Sequence, residues 1–171
     1  MQSDADLVRA VGQGDGAALA ELCSRWDRRL YRFLHRCGSG DDADDLFQET
    51  WIRVVRSAPR FDAERRFSTW LFQIAVNLCR DWHRRPPPEP HDPDTLDGVA
   101  PDAHARSGAA LDAERLLAAL PEPQRAAVLL RYYHDLPEDE VADILDVPRG
   151  TVKSRLHTAM AALKALAGKT A

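Results

Sequence analysis

Apolar residues three and four positions apart recur through most of this chain, and that spacing constrains it more than any other feature. Leu19, Leu22, Cys23, Trp26, Leu30, Phe33, Leu34 and Cys37 trace one stripe, as expected of a helix that returns to the same side about every 3.6 residues. Gly38-Ser39-Gly40 ends the stripe, and Asp41 and Asp42 stand where acidic residues favour a helix start. Ala43, Leu46, Phe47, Thr50, Trp51 and Val54 form a second stripe that runs until Pro59. After the loop PRFDAERRF, Ser68 is suited to cap a third helix carrying Leu71, Ile74, Ala75, Leu78 and Trp82, which should stop before Pro86. No stretch alternates with the period of a strand, so the fold class is all-α.

The character changes at Pro86. The run PPPEPHDPDTLDGVAPDAHARSG holds six of the eleven prolines and almost no large apolar residue, which reads as an acidic, extended tether. The expected organisation is therefore two small helical domains, residues 1–85 and 111–171, joined by a linker over 86–110. In the second, LDAERLLAAL and PQRAAVLLRYY read as helices separated by Pro121-Glu122-Pro123. Two short amphipathic helices then flank a tight Asp146-Val147-Pro148 turn, with Val141, Ala142, Ile144 and Leu145 on one and Val152, Leu156, Met160 and Leu163 on the other. That is a helix-turn-helix pattern.

No apolar run in the 171 residues approaches the roughly 18 that a membrane span needs. The opening MQSDADLVRAV lacks the basic-then-apolar layout of a secretory signal, so a cytoplasmic location without membrane insertion is expected. Cys23, Cys37 and Cys79 are far apart and set among helical residues, as buried thiols of a reducing compartment would be. Cys79 and His83 lie four apart on one helix and could share a metal, but zinc wants three or four ligands and no further cluster lies nearby. No metal or cofactor is expected.

Charge is sorted along the helix-turn-helix. Asp135, Glu138, Asp139, Glu140, Asp143 and Asp146 belong to its first helix and flanks, whereas from Val147 onward Arg149, Lys153, Arg155, Lys164 and Lys169 occur with no acid, in a chain of net charge -4. In such motifs the second helix enters the major groove, where its first residues meet base edges and nearby cations neutralise phosphates. Arg149, Thr151, Lys153, Ser154, Arg155, His157 and Thr158 supply donors of that kind. A merely solvated charged face is the competing reading of this helix taken alone.

The run LPEPQRAAVLLRYYHDLPEDEVADILDVPRGTVKSRLHTAMAALKAL resembles the fourth domain of bacterial sigma factors, above all in GTVKSRLH. DADDLFQETWIRVV resembles the sigma segment that docks on the polymerase clamp helices, and RFSTWLFQIAVNLCRDWHRR the one that opens and reads the downstream promoter element. The order of the three, with a short linker between, is similar to the extracytoplasmic-function (ECF) group. The resemblance implies a non-enzymatic initiation factor whose partners are core RNA polymerase, promoter DNA and an anti-sigma factor.

Carried onto this chain, the resemblance places polymerase binding at Asp45, Gln48, Glu49 and Ile52. Downstream-element contacts fall on Arg60, Phe61, Arg65, Arg66, Phe67, Trp70, Asn77, Arg80, Arg84 and Arg85, with Arg60 to Phe67 as the specificity loop. These residues fit the task, since an opened strand needs cations for its backbone and rings or pockets for its bases. Most of the rings are nonetheless expected to be core anchors of the helix. A stand-alone helix-turn-helix regulator is the alternative, and it would leave DADDLFQET and the arginine-aromatic segment unexplained. An enzyme would need a phosphate loop, ligand run or nucleophile motif, and none is recognisable.

Overall fold

The computed structural model describes residues 1–38, 40–86 and 108–170. Most of the tether expected over 86–110 lies outside the described residues. Among those described, eight α-helices and no strand are present.

The first helix, α1 (Asp4–Gly12), adds to the sequence reading. Nine residues are too few for a persuasive stripe, and what fixes this helix is the Ser3 hydroxyl accepting from the Asp6 N–H at 3.2 Å and the burial of Leu7, Val8 and Val11. Its end lies so close to the backbone of Ala58 and Pro59 that a Cβ on Gly12 would come within 3.1 Å of the Pro59 nitrogen. Any larger residue there would make the Ala58–Pro59 backbone give by a few tenths of an ångström.

α2 (Gly16–Cys37) starts on Asp15, whose carboxylate accepts from the Ala17 and Ala18 N–H groups at 2.9 and 3.2 Å, and buries Leu22, Leu30, Phe33, Leu34 and Cys37. A 3-10 turn over Gly40–Asp42 leads into α3 (Ala43–Ser57), and another over Ala58–Arg60 into the loop before α4 (Phe67–Arg84). The expected cap is corrected here. Arg66 occupies the cap position without a side-chain bond, and Ser68 lies inside the first turn, where its hydroxyl bonds to Glu140 instead. The rings of Phe33 and Trp26 meet Phe72 edge-on at 5.4 and 6.5 Å, so an aromatic centre joins α2 to α4.

In the second bundle α5 (Gly108–Ala118) begins three residues earlier than the expected 111. Pro121-Glu122-Pro123 does not merely separate two helices. It starts α6 (Glu122–Val128), because a proline in the first helical turn lacks an N–H that would be unpaired anyway. A wide turn over Leu129–Tyr133 follows, in which the His134 N–H reaches back five residues to the Leu129 carbonyl at 3.0 Å. α7 (Glu138–Leu145) and α8 (Arg149–Thr170) complete the helix-turn-helix. Asp146 turns the corner at φ 53° and ψ 51°, in the left-handed region that Asp tolerates better than most residues. α8 is 22 residues long rather than short.

The bundles pack on each other, α4 against α7 and α2 against the segment around Leu129–Tyr133. His134 is the plug between them. It is 9% exposed, its ring lies 4.9 Å from Phe72 and 5.9 Å from Phe33, and Arg29 donates to its carbonyl at 3.3 Å. Burial first, then the charges of Arg29, Arg36 and Arg32, push its pKa down to about 4 from the ordinary 6.5. A depressed histidine contributes stability in full above the unfolded-state value and loses it as pH falls toward the folded-state value. Stability should therefore fall by up to about 1.4 kcal/mol per pH unit as pH drops below 6.5. Thermal unfolding between neutrality and the onset of carboxylate titration should show this slope in the parent and a flatter one in His134→Phe. Equal slopes would remove His134 as its source.

Candidate nucleic-acid interface

α3 turns Ala43, Leu46, Thr50, Trp51 and Val54 into the core, which leaves Asp45, Gln48 and Ile52 on an exposed ridge. Glu49 is half-buried beside them and pairs with Arg53 at 3.2 Å. Ile52 is 43% exposed, and Val55, one turn further, is 39% exposed. The sequence reading missed Val55, although its spacing of three from Ile52 and seven from Gln48 places it on the same face. An apolar pair on a polar ridge is what a protein partner, rather than water, would cover.

The residues expected to read the downstream element lie on the loop after the Ala58–Arg60 turn and on one side of α4. Arg60, Arg65, Arg66, Asn77, Arg84 and Arg85 are exposed, while Phe61, Trp70 and Arg80 are half-buried. Phe67 is 4% exposed and packs edge-on to Trp26 at 5.7 Å, so it supports the loop from beneath. Phe61 and Trp70 lie 4.8 Å apart and form a partly open aromatic corner above it. Arg65 donates to Gln73 at 3.0 Å, Arg66 to Glu140 at 3.3 Å and Arg80 to the Leu145 carbonyl at 3.1 Å. Arg85 lies over the Trp82 ring at 4.9 Å. Ser68, expected only as a cap, adds a polar group to this face, as do Thr69 and Gln73, which the sequence reading did not single out.

On α8, Val152, Leu156 and Ala159 are buried against the rest of the bundle, and Lys153, Ser154, His157 and Thr158 face outward together. Thr151 and Arg155 were expected on that outward side, but both are half-buried. Arg155 flanks the buried stripe and lines a groove with Arg80, His83 and Arg84. Arg149 is held by Glu138 at 3.2 Å and Asp139 at 3.1 Å, so the acids of α7 anchor the start of α8.

Cys79 and His83 each meet Cys37, at different atoms. Cys79 is buried beside Cys37, whose thiol is pushed well above its ordinary pKa by the hydrogen bond with Cys79 and by burial. His83 meets the Cys37 carbonyl through Nε2 at 3.1 Å. Among the described residues no group of three His, Cys, Asp or Glu side chains could hold a metal ion.

The pattern described as Sigma-70 region 2 matches residues 22–86, and that described as Sigma-70, region 4 matches residues 110–163. The ECF RNA polymerase sigma factor SigW of Bacillus subtilis is 31% identical over 173 residues, covering 92% of this chain and 92% of the relative. The chain belongs to the ECF family of RNA polymerase sigma factors. SigM of Mycobacterium tuberculosis is 36% identical over 98% of this sigma factor and 86% of its own length. The fold agrees as well. The structure of the sigma factor RpoE in complex with the anti-sigma factor NepR from Bartonella quintana superposes with a TM-score of 0.73 at 26% identity, over 87% of this chain and 96% of that one. The two matched regions fall on the two bundles that carry the exposed cations.

Proposed function

We propose that the two bundles divide promoter recognition between them. The chain is a transcription initiation factor that directs RNA polymerase to promoters. In this reading residues 1–85 hold core polymerase through Asp45, Gln48, Glu49 and Ile52, with Val55 extending the contact. The same bundle opens and reads the downstream element through the loop from Arg60 to Phe67 and the exposed side of α4. Residues 111–171 read the upstream element through α8, and 86–110 join the two. What supports this division is that the two regions match in order on bundles that each present outward cations.

An anti-sigma factor is a further partner in this reading, since RpoE is bound to one in its structure. The work is done in the cytoplasm beside the polymerase, and among the described residues no helix is long and apolar enough to cross a membrane. No reaction, cofactor or metal is assigned to the chain. A stand-alone helix-turn-helix regulator is not favoured, because it leaves the region 2 match without a role.

The experiment is to replace Gln48 and Glu49 with Ala and compete the variant against the parent for core polymerase. Truncating an interface anchor costs about 1 kcal/mol or more, so affinity should fall about fivefold or further. The helical signal should be unchanged, because the Glu49–Arg53 pair is partly exposed and such pairs add little stability. Undiminished competition would take both residues out of the contact.

A further inference from the structure

A groove of about 420 Å³ opens between the end of α4, the start of α6 and the turn that leads into α8. That volume falls within the range of small-molecule sites, about 300 to 1,000 Å³, and such sites favour seams between packed elements. One wall is cationic. Arg80, His83 and Arg84 come to it from α4 and Arg155 from α8. Part of this wall is already engaged, because Arg80 donates to the Leu145 carbonyl and His83 meets the Cys37 carbonyl, each at 3.1 Å. Arg84 is exposed, whereas Arg155 is half-buried, with an Nη1 that is out of water and finds no acceptor among the described residues. A guanidinium cannot shed its proton, so a buried donor of this kind is costly until an acceptor oxygen meets it.

The other wall has the opposite chemistry. Pro123, Leu145 and Val147 make it apolar, and Glu122 adds a carboxylate whose Oε1 is also buried and unpaired among the described residues. With Asp146, two carboxylates face three guanidiniums, so the groove keeps a surplus of positive charge. An occupant that satisfies both walls carries anionic oxygens at one end, N–H donors at the other and a flat apolar body between. A nucleotide is such a molecule, and guanine offers two neighbouring N–H groups to a carboxylate that accepts through both oxygens. We infer that the groove is a binding site for a guanine nucleotide, with its phosphates on Arg84 and Arg155 and its base on Glu122. The site itself needs neither DNA nor polymerase. Arg84 and Arg155 are also cations that the reading above gives to promoter DNA, so a bound nucleotide withholds them from it, and that consequence alone rests on the reading.

The test is a calorimetric titration of the full-length chain at fixed salt, with GDP and with inorganic pyrophosphate as probes. GDP should bind more tightly than pyrophosphate and raise the unfolding temperature, since a ligand taken only by the folded chain stabilises it. Arg155→Gln and Arg84→Gln should each weaken GDP about tenfold, the loss of one charge-assisted contact. Arg84 is exposed, so its replacement leaves the packing intact even if that of Arg155 does not. Glu122→Gln should weaken GDP and leave pyrophosphate unchanged. Arg28→Gln, which removes the same charge from an exposed position on α2, should change neither. No GDP binding at about 1 mM overturns the site. So does a GDP affinity that Arg84→Gln and Arg28→Gln leave alike, or pyrophosphate that binds as tightly as GDP. If GDP binds as expected and saturating GDP leaves the affinity for promoter DNA untouched, the site stands and the assignment of Arg84 and Arg155 to DNA fails.

Discussion

Replacing Phe72 with Ala should lower the stability of the folded chain by about 3 to 5 kcal/mol. The side chain is completely buried, and its ring touches both α2, through Trp26 and Phe33, and the second bundle, through His134 at 4.9 Å. Deleting it removes apolar area from burial and opens a cavity that three flanking rings cannot collapse to fill. Domains are stable by only about 5 to 15 kcal/mol in all, so this loss should be plain in denaturant unfolding. Tyr132→Ala provides the contrast, because Tyr132 is 55% exposed and its removal should change stability by no more than about 0.5 kcal/mol. A loss at Phe72 below about 1 kcal/mol would mean that the aromatic centre does not hold the bundles as described.

The holoenzyme with Lys153→Ala should bind the upstream element about 1 to 3 kcal/mol more weakly if the ammonium meets a base, roughly a five- to 150-fold loss. Lys153 stands on the outward line of α8 with Ser154, His157 and Thr158, free of the stripe that packs the helix down. If it meets a phosphate instead, the loss should be similar on every sequence and the salt dependence shallower by about one unit. Arg149→Ala should weaken binding less, because Glu138 and Asp139 already neutralise that guanidinium. Quantitative footprinting of the upstream element decides, and full protection by the Lys153→Ala holoenzyme would take this residue out of the interface.

Much of this was legible in the sequence, for a physical reason. Periodicity is a local property, so α2, α3, α4 and the helix-turn-helix follow from the spacing of Leu, Phe, Trp and Val alone, and Asp146 signals its own left-handed turn. The outward residues of α3 and α8 follow as the complement of those stripes. What escaped depends on partners far away in the chain. Glu140 reads as one more acid on a solvated helix until α4 is docked on it, and Ser68 reads as a cap until Glu140 claims its hydroxyl. His134 sits in a polar stretch, YYHDLP, and only the wide turn before it directs the ring between Phe33 and Phe72. The half-burial of Arg155 likewise belongs to the packing of two bundles, which no window of consecutive residues encodes.

The contact between Glu140 and α4 has a consequence in time. Thr69 and Glu140 are 71 residues apart. At a synthesis rate of about 5 to 20 residues per second, the α4 face emerges some 4 to 14 seconds before the carboxylate that closes over it. A newly made chain therefore passes through an interval in which Arg66, Ser68 and Thr69 stand in water, with their carboxylate partner not yet made.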